Sequence, residues 1–142
     1  MKKILFLCTG NSCRSQIAEG LANSILDSSY NIESAGTEAH GVNPNAIATL
    51  KEIGIDISNY KSKSIHLDEL NRFDLVITLC GDAKDKCPIL NKGVKHIHWD
   101  LKDPAKFKGT ETEIMSQFGN TRGLISNNIE ELKINLEKGN LK

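Results

Sequence analysis

The chain has 142 residues, and its 18 Lys+Arg are balanced by 18 Asp+Glu, so it fits one domain, residues 1–142, with no global field toward nucleic acid or a membrane surface. A content of 39% hydrophobic and 25% charged residues, with 3 prolines and no low-complexity tract, excludes a disordered chain. The opening apolar run, "MKKILFLC", stops at Cys8. It is too short for a membrane span and lacks the small-residue cleavage site of a signal peptide, so a cytoplasmic protein is expected. Four cysteines (Cys8, Cys13, Cys80, Cys87) in such a chain argue against a static disulfide framework and leave catalysis, redox exchange or a metal. Four and six residues separate them pairwise and the four histidines are scattered, which does not match a zinc-ligand pattern.

Residues 3–8, "KILFLC", read as a buried strand, a short continuous apolar run ending at a Gly turn. From Ser15, the residues Ile17, Ala18, Leu21, Ala22, Ile25 and Leu26 recur at helical spacing to about Asp27. "YNIESAG" (30–36) is a second strand. Residues 43–54 form a helix with Asn43 as N-cap, Pro44 in the first turn and Gly54 as the stop. A short helix over 66–72 precedes "FDLVITLC" (73–80), the clearest strand. "GDAKDKCP" (81–88) is a turn or short helix ended by Pro88, and "KHIHW" (95–99) is a fourth strand. A polar loop follows, then a helix over about 113–137 with Phe118, Arg122, Ile125, Ile129, Leu132 and Leu136 on one face. Alternating strands and helices predict an α/β protein in three layers: a four-stranded, mainly parallel sheet flanked by helices. Ligands sit at the carboxyl ends of such strands, where Cys8, Cys80 and the loop after Trp99 converge.

Cys8 and Arg14 span C-x5-R between a strand and a helix, with Ser15 next. A loop closing there, residues 9–15 (Thr9, Gly10, Asn11, Ser12, Cys13, Arg14, Ser15), turns backbone N–H groups inward as an anion nest. The helix dipole stabilises both a bound oxyanion and a thiolate. Arg14 offers a planar fork for two oxygens of a tetrahedral oxyanion. Gly10 permits close approach or positive φ, and Asn11 tolerates a left-handed conformation. Ser15 is placed to cap the helix or to donate to Cys8. No Gly-Lys-Ser/Thr closes the loop, so it is not a Walker A motif.

"CTGNSCRS" resembles the signature loop of the low-molecular-weight protein tyrosine phosphatases and of the arsenate reductases built on the same fold. "KDP" at Asp103-Pro104 resembles their aspartate loop, which implies Asp103 as the acid that protonates the leaving oxygen. "VITLCGDAKDKCPIL", "SAGTEAHGVNP" (34–44) and "IGIDIS" (53–58) are similar to the thioredoxin-coupled arsenate reductases, and a phosphatase has no use for the added pair Cys80 and Cys87. The resemblance implies a relay serving arsenic detoxification: Cys8 attacks arsenate, a Cys8–Cys80 disulfide forms, Cys87 converts it to Cys80–Cys87, and thioredoxin reduces that pair. Cys13 takes a supporting role. The resemblance also implies potassium beside the loop on residues matching Asn11, Glu19 and Ser34 with an aspartate near position 63. Lys63 stands there, and its ammonium is expected to replace the cation and pair with Glu19. No tightly bound cofactor, nucleic-acid partner or membrane is expected, and the protein is expected to act as a monomer. A phosphatase with weak or principal activity, and a non-catalytic anion-binding or redox-sensing module, are the alternatives; Ala-Lys-Phe at 105–107, where the phosphatases carry tyrosines, weakens the first.

Overall fold

The structure, a computed structural model, describes residues 3–139. Four strands, β1 (Lys3–Cys8), β2 (Asn31–Gly36), β3 (Leu75–Thr78) and β4 (Lys95–His98), form one sheet in the order β2-β1-β3-β4. Every pairing is parallel. Ile4 through Cys8 are all buried, as expected of a central strand covered on both faces.

The helices α1 (Arg14–Ile25), α2 (Pro44–Lys51), α3 (Gly81–Lys86) and α4 (Glu111–Lys138) flank the sheet in three layers, with α1, α2 and α4 packed against one another. Each start has a local cause. Asn43 caps α2 by accepting from Asn45 N at 2.8 Å, with Pro44 behind it. Thr110 and Glu113 exchange bonds as a capping box, so α4 begins two residues before the expected start near 113. It ends at Gly139 in the left-handed conformation, φ 68°. The segment Leu67–Arg72 is a 3-10 helix. Strand β3 is shorter at both ends than the apolar run 73–80, because Phe73 closes the preceding turn and Cys80 caps α3. Among the described residues no helix is long and apolar enough to cross a membrane.

Phe6 and Phe118 are both fully buried, and Phe6 meets Trp99 with ring centroids 5.8 Å apart. Chain order reverses between β1 and β3: β2 lies on one side of β1, and β3 with β4 on the other. That switch point opens a crevice at the strand carboxyl ends, where Cys8 and the residues after Thr78 emerge.

Gly36, at the end of β2, supports this crevice from beneath. A Cβ there would lie 2.4 Å from Thr9 O, 2.5 Å from Glu38 O and 2.8 Å from Asn11 N, all backbone atoms unable to move singly. Gly36→Ala is therefore expected to cost about 1–3 kcal/mol and to distort the loop above it. Thr110→Ala, remote from the crevice, should cost about 1 kcal/mol through its lost cap and leave the loop unchanged. Chemical denaturation of both, with oxyanion binding by calorimetry, checks the contrast.

Candidate active site

The loop from Thr9 to Cys13 leaves β1 and feeds α1, whose first helical residue is Arg14. Asn11 has φ 49°, in the left-handed region where asparagine is enriched. Its fully buried amide uses all of its hydrogen-bonding capacity. Nδ2 donates to Ser15 Oγ at 2.8 Å and Ser34 Oγ at 3.0 Å. Oδ1 accepts from Gln16 Nε2 at 3.0 Å and from the Lys63 backbone N–H at 2.8 Å. Ser15 Oγ accepts from Asn11 and also lies 2.8 Å from Cys8 Sγ, placed to donate its hydrogen to that sulfur when it is a thiolate. Ser15 thus serves the sulfur, and α1 has no side-chain cap.

Of the two roles open to Gly10, close approach is the one realised. Its φ is not positive, and a Cβ would fall 2.5 Å from His40 Nδ1, so the imidazole lies against the glycine. His40 N–H also donates to Gly10 O at 2.9 Å.

Arg14 is held from two other segments: its NH1 donates to Leu101 O at 2.9 Å and reaches Leu79 O at 3.5 Å. Its NH2 lies 3.7 Å from Asp103 Oδ2, while Asp103 Oδ1 accepts from Ala105 N. Cys8, Cys13, Arg14 and Asp103 therefore line one cleft of about 450 Å³. Cys80 lines an adjoining cleft of about 540 Å³ that shares Thr9, Arg14, Asp82 and Asp103 with the first.

The four cysteines are free thiols in distinct surroundings. Burial pushes the Cys13 thiol up to about 12, reinforced by the negative charge of Asp103, so this sulfur stays protonated and acts as packing. Cys80 is buried at the start of α3, where its Sγ accepts from Ala83 N at 3.3 Å and lies 3.3 Å from Thr9 Oγ1. Cys87, half-buried, ends α3, and burial pushes its thiol up as well.

The expected pairing of Lys63 with Glu19 is not what the structure shows. Lys63 Nζ bonds Glu33 Oε1 at 2.7 Å on the outer side of β2. Glu19 instead accepts from Ser34 Oγ at 2.5 Å. Burial raises its pKa, opposed by the Ser34 hydrogen bond and by the field of Lys63. As arranged, Asn11, Glu19 and Ser34 do not fit a potassium ion: the Asn11 oxygen is saturated, its N–H groups face the two serines, and Ser34 turns its hydrogen to Glu19. Among the described residues no group of three or more His, Cys, Asp or Glu side chains is placed to hold a metal.

Gln16, Asp82 and His40 belong to the site without having been expected there. Gln16 is a buried polar residue on a helix that the apolar spacing reads only by its core face, Asp82 stands in the first turn of α3, and His40 lies in the loop after β2.

Comparison with known proteins agrees with this geometry. Residues 3–141 match the family model described as low molecular weight phosphotyrosine protein phosphatase. A relative from Bacillus subtilis (strain 168) named arsenate reductase is 55% identical over 92% of this chain and 94% of its own. A solved arsenate reductase in a phosphate-binding state superposes with a TM-score of 0.73 at 35% identity, covering 94% of this chain and 98% of that one. A thioredoxin-dependent arsenate reductase of Corynebacterium glutamicum gives a TM-score of 0.66 at 28% identity, over 92% of this chain and 62% of that one. The chain belongs to the low molecular weight phosphotyrosine protein phosphatase family, and relatives named arsenate reductase share 50–55% of its residues over more than nine-tenths of its length.

Proposed function

We propose that this protein, working as a single catalytic domain, reduces arsenate to arsenite and takes its electrons from thioredoxin. The observation that carries the reading is the second sulfur, Cys80, in a cleft continuous with the oxyanion loop of Cys8, with a third, Cys87, at the far end of α3. Hydrolysis of a phosphate ester requires none beyond Cys8.

Arsenate enters the nest of backbone N–H groups in residues 9–15, and Arg14 holds two of its oxygens. Cys8, with the Ser15 hydrogen directed at it, attacks arsenic, and one oxygen leaves as water with a proton from Asp103. Cys80 then attacks the Cys8 sulfur. The S–S bond forms, the S–As bond breaks with its electron pair remaining on arsenic, and arsenite departs. Cys87 attacks Cys80 in turn, which restores Cys8 as a thiol and leaves Cys80–Cys87 for the thioredoxin dithiol to reduce.

The last exchange requires α3 to come apart. Cys80 and Cys87 flank its six residues, so a rise of 1.5 Å per residue places their Cα atoms about 10 Å apart, beyond the roughly 4.4–6.8 Å of a disulfide. A helix this short is marginal on its own, and Ala83 is its fully buried anchor.

Cys80→Ser is expected to abolish arsenate turnover in an assay coupled to thioredoxin, its reductase and NADPH, while hydrolysis of p-nitrophenyl phosphate persists. Unchanged arsenate turnover would sink the relay. Asp103→Asn should lower kcat by roughly 10²–10⁴-fold while the substrate still binds. Since the residues around Asn11 do not fit a cation, potassium and sodium chloride should give the same melting temperature and rate. A selective rise with potassium would show that a cation is held there after all.

A further inference from the structure

Thr9 stands between the second sulfur and an acidic side chain for which the relay has no use. Its Oγ1 lies 3.3 Å from Cys80 Sγ and donates to Asp82 Oδ2 at 3.0 Å. A hydroxyl has one hydrogen, and a carboxylate is a stronger acceptor than a thiol. With that hydrogen given to Asp82, the contact with Cys80 is its S–H donating to Thr9 Oγ1. The bonds then run in one direction, from Cys80 to Thr9 to Asp82, an order that suits a thiol and not an anion. A thiolate at Cys80 would meet a lone pair of Thr9 with a carboxylate behind it. The Ala83 N–H favours the anion, so the Thr9 hydrogen is the contested one.

We propose that Asp82 is a positioning residue that restrains Cys80: by claiming the Thr9 hydroxyl hydrogen, it keeps the second sulfur unreactive in the resting protein. The assignment rests on the reductase reading in that Cys80 is the sulfur that must wait for the first. Asp82 lines the same cleft as Cys8 and Arg14. An oxyanion seated there brings negative charge toward the carboxylate and drives it from Thr9, whose hydrogen then turns to Cys80. Release of the second nucleophile is thereby tied to arrival of the substrate.

Timed alkylation with iodoacetamide, followed by mass analysis of tryptic peptides, tests this without arsenate. Cleavage after Arg14, Arg72 and Lys84 separates Cys80 from the other three cysteines. Asp82→Asn, which keeps the shape and removes the charge, is expected to speed Cys80 labelling about three- to tenfold at neutral pH. Combining it with Thr9→Val should abolish that gain, so that the double variant labels at the rate of Thr9→Val alone. Labelling of Asp82→Asn no faster than the native protein overturns the proposal. So does a double variant as fast as Asp82→Asn, since that result means α3 has merely loosened. Arsenate turnover, measured on the same proteins, separates the two levels. A labelling cycle as expected in a chain that reduces no arsenate overturns the reductase reading alone. A flat cycle in a chain that does reduce it overturns the role of Asp82 alone.

Discussion

The amide of Asn11 is the constraint on which the site depends. Four bonds from one buried side chain tie the loop to α1 through Ser15 and Gln16, to β2 through Ser34, and to the chain at Lys63. The left-handed backbone of the same residue, φ 49°, bends the chain within the loop. The two amide hydrogens both go to hydroxyl oxygens. Ser34 gives its own hydrogen to Glu19, and Ser15 lies against Cys8, so one planar group joins the network on both sides. No other side chain matches that geometry, since aspartate has no hydrogens to give and glutamine is longer by a methylene.

Stability is distributed unevenly around this centre, in a way that matches the chemistry. The loop floor is the central strand pair with backbone packed against Gly36, where nothing can yield. Across the crevice, α3 is a six-residue helix in which Ala83 is buried while Gly81, Asp82, Lys84 and Asp85 are exposed. Local opening draws on the elements with least buried apolar surface, so the segment carrying Cys87 opens at least cost to the rest.

Much of this was legible in the residues, for physical reasons that also explain the failures. Continuous apolar runs such as "KILFLC" can only be satisfied between two layers, and they marked the strands to within two residues. The C-x5-R loop combines a nucleophile, a turn and a helix start in one short stretch, so Cys8, Arg14 and Ser15 could be placed together. The anchors of Arg14 could not, because the carbonyls of Leu79 and Leu101 carry no side-chain signature. The resemblance points Lys63 at Glu19, whereas the structure pairs it with Glu33. Alternation along β2 turns Ser34 inward and Glu33 toward the ammonium, and a long flexible side chain takes the acid that desolvates it least. Asp82 carries no signal of its own, because an acidic residue after a glycine is what any helix start would show.

The register between β1 and β3 carries a last consequence. Leu7 faces Thr78, and Leu79 N–H still bonds Leu7 O at 2.9 Å, so the sheet extends its spacing almost to the two sulfurs that must meet first. The separation of Cys8 from Cys80 is thus inherited from hydrogen bonds in the core, and that of Cys87 from a helix that can dissolve. In the proposed relay the first exchange is made stiff and the second soft: an electron pair leaves through the most rigid part of the molecule, and its replacement arrives through the most yielding.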